Sequence, residues 1–129
     1  MVRKCAIKPV LIIEDDAEIR NFVARVLELE GYPVIQADTG EQGLAIARET
    51  PLSLVVLDLR LPGRDGWSVL EELKSVPALS AIPVVVLTAS AAATRRERAL
   101  GMGAAAYLVK PLSVSSLRKT VARILFQKG

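Results

Sequence analysis

Leu54-Val55-Val56-Leu57-Asp58 is a run of apolar residues that ends on a carboxylate. Alternating apolar and polar residues mark a strand with one face in water, whereas a continuous apolar run marks a strand covered on both faces, as central strands of parallel sheets are. Val84-Val85-Val86-Leu87-Thr88 repeats the pattern and also closes on a polar residue. Working outward, Val10 to Glu14, Val34 to Ala37 and Ala105 to Val109 read as three further strands, and each of the five is followed by a stretch with apolar residues at helical spacing.

The first helix is expected from Ala17 to Glu30, with Ile19, Val23, Val26 and Leu27 on one stripe and Gly31 ending it in the left-handed conformation. Thr39 and Gln42 read as a capping box for a second helix that buries Leu44 and Ala47. Asp65 caps a third containing Trp67, Leu70 and Leu73, a fourth spans about Ala92 to Leu100, and Ser113 caps a fifth with Val114, Leu117, Val121 and Leu125 in register. Five successive β-then-α units predict the α/β class: a five-stranded parallel sheet, doubly wound by right-handed crossovers. One domain over residues 1–129 is expected, with its core from about 9 to 127, and there is no linker, repeat or low-complexity segment.

Composition narrows the function. The 129 residues include one cysteine, Cys5, and no histidine, which excludes intrachain disulfides, the common zinc ligand sets and Ser-His or Cys-His dyads. No apolar run approaches the roughly 18 residues of a membrane span, and the basic start Met1-Val2-Arg3-Lys4 is not followed by a signal-peptide pattern. A cytoplasmic location is expected. The net charge of +3 comes from scattered Arg and Lys, densest at Arg95-Arg96-Arg98 and Arg118-Lys119, which read as solvated helix faces rather than a nucleic-acid footprint.

In doubly wound sheets ligands bind outside the carboxyl ends of the strands. Reading only those ends selects Glu14, Asp15 and Asp16 after the first strand, Asp58 closing the third, Thr88 closing the fourth and Lys110 after the fifth. Several carboxylates around one point suit Mg²⁺, which shares its remaining positions with phosphate oxygens. Lys110 can pair with Asp58 or with a phosphoryl oxygen, Thr88 can donate to the same group, and a carboxylate can serve as a nucleophile that forms an acyl phosphate. Taken singly, each residue has an ordinary explanation: Asp16 as a helix cap, Asp58 as the cap of the turn Leu61-Pro62-Gly63, Thr88 as a strand former, Lys110 as a surface residue at a turn. Their joint placement on one sheet edge argues for a site.

The same residues resemble a response-regulator receiver domain of two-component phosphorelays, a flavodoxin-like fold of the chemotaxis-regulator kind. The resemblance rests on Leu11-Ile12-Ile13-Glu14-Asp15-Asp16 with Arg20, on Leu57-Asp58-Leu59-Arg60-Leu61-Pro62 with Asp65-Gly66, on Leu87-Thr88-Ala89 and on Tyr107-Leu108-Val109-Lys110-Pro111. It implies that Asp58 is phosphorylated from a phosphohistidine on a histidine kinase or phosphotransfer protein. It further implies that Glu14, Asp15, Asp58 and the Arg60 carbonyl bind Mg²⁺ and that Lys110 contacts the phosphoryl oxygens. Thr88 and Tyr107 would then switch the surface of the fourth helix, fifth strand and fifth helix toward a downstream protein, and the Lys110-Pro111 bond would be cis. Such a chain is a phosphoacceptor and not a turnover enzyme.

Three departures qualify the resemblance. Glu14 stands where Asp is commoner, one methylene longer with the same charge. Ala105-Ala106 replace acidic residues that many DNA-binding members use in symmetric dimers, so a monomer or weak dimer without direct nucleic-acid binding is expected. Arg60 and Ser90 flank the acceptor at positions that tune phosphoryl lifetime. Two other functions fit parts of the pattern. A haloacid-dehalogenase-like phosphatase would need a second acid two residues after its nucleophile, where this chain has Arg60, and a non-phosphorylated module of the same fold would have lost acids that are all retained here.

Overall fold

A computed structural model describes residues 8–126. Cys5 and position 127, where the expected core ends, lie outside them. In chain order the elements are β1 (Val10–Ile13), α1 (Ala17–Leu29), β2 (Val34–Ala37), α2 (Gly40–Glu49), β3 (Leu54–Asp58), α3 (Gly66–Ser75), β4 (Val84–Thr88), α4 (Ala93–Gly101), β5 (Ala106–Val109) and α5 (Val114–Phe126). The sheet order is β2-β1-β3-β4-β5 and every pairing is parallel. The expected five-stranded doubly wound sheet is therefore the fold observed.

The continuous apolar strands are the inner ones. Every residue of β1, β3 and β4 is buried, because strand residues alternate between two covered faces. On one side Leu11, Ile13, Val55, Leu57 and Val86 join Leu44 of α2 and Leu70 and Leu73 of α3. On the other, Ile12, Leu54, Val56 and Leu87 join Val23 and Leu27 of α1 and Leu117 and Val121 of α5. Each such side chain contributes roughly 1.5–3 kcal/mol of burial.

Local signals fix the helix ends. Asp16 Oδ1 accepts from the N–H groups of Glu18 and Ile19, Thr39 Oγ1 from Gln42, Asp65 Oδ1 from Ser68 and Ser113 Oγ from Ser116. The reciprocal half of the Thr39 box goes one residue further back: Gln42 Oε1 accepts from Asp38 N–H. Gly31 ends α1 at φ 95° and Gly103 follows α4 at φ 108°, both left-handed. Alone among the four helix starts with an assigned cap residue, α4 has no side-chain cap, and its first turn holds no acid.

A few boundaries differ from expectation by one residue. Glu30 is the C-cap of α1 and not a helical residue, α4 begins after Ala92 and runs through Gly101, and Glu14 and Ala105 flank their strands. The last two still bond to the sheet, Glu14 N–H to Ala37 O at 3.1 Å and Ala105 N–H to Val84 O at 2.8 Å.

Candidate functional site

The inner strands end together, and so do their polar residues. Glu14, Asp58 and Thr88 are the buried polar side chains of the described residues, at 1%, 2% and 5% exposure. A carboxylate that deep is costly unless its charge is compensated. Compensation comes from Lys110, positioned because its own N–H donates to Thr88 O at 2.8 Å, one residue past the end of β5. Its ammonium lies 2.9 Å from Glu14 Oε1 and 3.3 Å from Asp58 Oδ1. The following bond to Pro111 is cis, as the family resemblance implied.

Asp58 Oδ1 also accepts from the Arg60 N–H at 3.2 Å. Glu14 Oε2 accepts from Asp16 N–H at 3.0 Å, whereas Oε1 is buried and receives no directed hydrogen bond, only the charge contact with Lys110. Burial pushes the Glu14 carboxyl up to about 7, with nearby Asp58 adding to the rise and the Asp16 N–H and Lys110 opposing it. For Lys110, burial alone would lower the pKa, but its contacts with Glu14 and Asp58 together outweigh that and raise it.

Carboxylate oxygens of Glu14, Asp15 and Asp58 lie within 4.8 Å of one another. An all-oxygen set of three acids, one oxygen of which lacks a directed donor, fits a hard divalent cation. Asp15 is exposed, so the cluster opens to solvent on one side. Asp16 is committed to capping α1, the ordinary explanation that its position allowed.

Thr88 Oγ1 accepts from Ser90 N–H at 3.1 Å. Tyr107 is buried at 5% exposure and its hydroxyl donates to Ser90 O at 2.8 Å, so Thr88 and Tyr107 hold opposite ends of one residue's backbone. Glu14, Asp15, Asp58, Arg60, Thr88 and Lys110 all line one open cavity of about 620 Å³. The structure thus brings together every residue selected from the strand ends, and Arg60 from the resemblance with them, whereas Tyr107, also named by the resemblance, reaches the cavity wall through Ser90.

Sequence reasoning missed several neighbours. Arg20 was noted without a role; its guanidinium donates to Glu14 O at 2.9 Å and Asp15 O at 3.4 Å, while its Nε is fixed by Gln36 Oε1 at 3.0 Å. Trp67 and Arg95 also line the cavity. Arg98, read as a solvated face, stacks on the Trp67 ring at 4.0 Å from its centre. Spacing within α4 gave no sign of this, because the partner lies on α3.

The family model for the response regulator receiver domain matches residues 10–122. The chain belongs to that family. Among relatives of this receiver domain, the transcriptional regulatory protein HprR of Escherichia coli is 37% identical over 118 residues, covering 92% of this chain and 52% of that protein. The transcriptional regulatory protein PdtaR of Mycobacterium tuberculosis is 41% identical over 109 residues, 84% of this chain and 52% of that one. The chain spans about half the length of the curated relatives it matches. The chemotaxis response regulator CheY4 of Vibrio cholerae superposes with a TM-score of 0.87 at 27% identity, covering 93% of this chain and all of that one. A CheY-like receiver domain from Methanospirillum hungatei gives 0.87 at 29% identity, covering 95% and 96%. Receiver domains are phosphoacceptors of two-component systems, served by histidine kinases or phosphotransfer proteins, and not turnover enzymes in the usual sense. No helix of the described residues is long and apolar enough to cross a membrane.

Proposed function

We propose that this receiver domain takes a phosphoryl group onto Asp58 from a phosphohistidine of a histidine kinase or phosphotransfer protein. One observation carries the reading: a buried carboxylate at the end of β3 sits 3.3 Å from the Lys110 ammonium, in a cluster with two further carboxylates. A carboxylate oxygen of Asp58 attacks phosphorus, the P–N bond breaks, and the donor's imidazole, protonated on its other ring nitrogen, leaves with the electron pair as neutral imidazole. Lys110 swings from its carboxylate partners to the new phosphoryl oxygens, and Thr88, whose oxygen accepts from Ser90, directs its proton to one of them. Glu14, Asp15, Asp58 and the Arg60 carbonyl would hold Mg²⁺, which when bound neutralises charge on the phosphoryl oxygens.

Output follows from the shared residue. Thr88 and Tyr107 both bond to the Ser90 backbone, so a Thr88 drawn toward the phosphoryl group alters the seat of Tyr107 and with it the α4-β5-α5 surface offered to a downstream protein. The relatives named as transcriptional regulators are about twice as long as this chain, and the domain itself is assigned a protein partner, not nucleic acid.

Acetyl phosphate with Mg²⁺, followed by intact mass, tests the reading. The parent gains a single phosphate and Asp58→Asn gains none. An equal adduct on both proteins, or sustained hydrolysis of a phosphomonoester, would end it.

A further inference from the structure

The cavity has a wall that the phosphoacceptor chemistry above leaves idle. Arg95 lines it from the first turn of α4, whereas Lys110 enters from the end of β5. No ion pair holds Arg95 among the described residues, although Arg48, Arg64 and Arg118 each meet a glutamate. An arginine at a helix N-terminus faces the positive end of the dipole and is out of place unless an anion offsets it. No acid in the first turn does so, and no side chain caps that turn.

Arg98, one turn further on, gives the wall its orientation. Its guanidinium stacks on Trp67, and Trp67 lines the same cavity as Arg95. Residues three apart share a helix face, so the face of α4 that carries both arginines is the one turned to the cavity. That contact matters because α4 is otherwise lightly held, with Ala99 as its buried residue.

Charge points the same way. The cavity is lined by four carboxylates, from Glu14, Asp15, Asp16 and Asp58, against three cations, from Arg60, Arg95 and Lys110. Phosphorylation converts one carboxylate into a group carrying about one further negative charge. We infer that Arg95 is a direct contact for the phosphoryl group, acting with Lys110 in the same cavity, and that this contact draws the uncapped start of α4 onto the modified site. The inference rests on Asp58 being the acceptor and adds a residue that makes α4 itself a sensor of the phosphoryl charge. Arginine suits the task because its planar fork matches two phosphoryl oxygens at once.

Beryllofluoride, which bonds to a carboxylate oxygen and imitates a phosphoryl group, provides the probe. Titration of the full chain in saturating Mg²⁺ is followed by the fluorescence of Trp67, the single tryptophan. Arg95→Ala and Arg95→Gln raise the half-saturating beryllofluoride concentration about tenfold, the loss of one charge-assisted contact, and Arg95→Lys recovers part of it. Mg²⁺ binding without beryllofluoride is not weakened in these variants, since the charge lost is of the same sign as the ion. Arg96→Ala removes the same charge from the same turn without lining the cavity, and binds like the parent. Equal behaviour of Arg95→Ala and the parent, or equal weakening by Arg95→Ala and Arg96→Ala, overturns the contact while leaving Asp58 as acceptor. A parent that takes up no beryllofluoride, or an Asp58→Asn variant that responds as the parent does, overturns the acceptor reading and this contact with it.

Discussion

Lys110 stands nearer to Glu14 than to Asp58, at 2.9 Å against 3.3 Å. The residue expected to guard the proposed phosphoacceptor thus spends its charge first on Glu14, a proposed metal ligand. Both carboxylates are buried, so whatever removes or competes for that ammonium is felt at two places.

The raised Glu14 pKa makes stability depend on pH. The folded chain holds a proton up to about 7 that the unfolded chain releases near 4.5, so metal-free stability falls as pH rises through that interval. Lys110, raised from 10.5, titrates above the window and adds no slope within it. Urea unfolding at pH 5 and pH 8 in chelator is expected to show the parent weaker at pH 8 and Glu14→Gln nearly level. Mg²⁺ at pH 8 restores the parent and not Glu14→Gln. Equal slopes in the two proteins would refute this assignment.

Lys110→Met leaves two buried carboxylates without their cation. Its expected cost in metal-free protein at pH 8 is about 3 kcal/mol, the lower end for a broken buried pair because the lysine is partly exposed. At pH 5, where Glu14 is protonated, the loss shrinks. Denaturant midpoints of the two proteins at both pH values check it.

Gly66→Ala forces α3 away from Asp58 and Leu59. An added Cβ would sit 2.4 Å from Leu59 Cα, 2.5 Å from Asp58 O and 2.8 Å from Leu59 O, all main-chain atoms that cannot step aside cheaply. A loss of about 1–3 kcal/mol is expected from overpacking, with slower uptake of phosphate from acetyl phosphate because the Asp58 carbonyl moves. Gly101→Ala, which meets nothing within 4 Å, is the control: it costs no stability and leaves phosphate uptake unchanged.

Tyr107→Phe deletes the hydroxyl that donates to Ser90 O, at about 1 kcal/mol. Thr88→Ala deletes the acceptor for Ser90 N–H. Because both act on one residue, a double-mutant cycle is expected to show a coupling of about 0.5 kcal/mol or more. Strict additivity would separate the two residues and weaken the proposed relay.

Much of this was legible from residue type alone. Continuous runs such as Val84 to Leu87 announce strands covered on both sides, and once five parallel strands are accepted their carboxyl ends must converge, which collects Glu14, Asp58, Thr88 and Lys110. Caps such as Asp16 and Ser113 are local and appear where expected. Contacts between elements distant in sequence were not legible. The Arg98 stack on Trp67 joins α3 to α4, Arg20 reaches back to the Glu14 and Asp15 carbonyls, and the preference of Lys110 for Glu14 depends on packing depth that spacing does not encode. The Glu14 shift is of the same kind, since burial dominates it.

Ser90 takes part in the proposed relay only through its peptide groups, its N–H to Thr88 and its C=O to Tyr107, while its hydroxyl accepts from Ala92 N–H. Main-chain atoms survive substitution. The side chain at 90 can thus vary, altering the cavity wall and its own bond to Ala92 N–H, without severing the proposed link between Thr88 and Tyr107. On the proposed reading, the shape of the cavity wall and the transmission of the signal rest on different atoms of one residue, so a lineage can recut the one and keep the other.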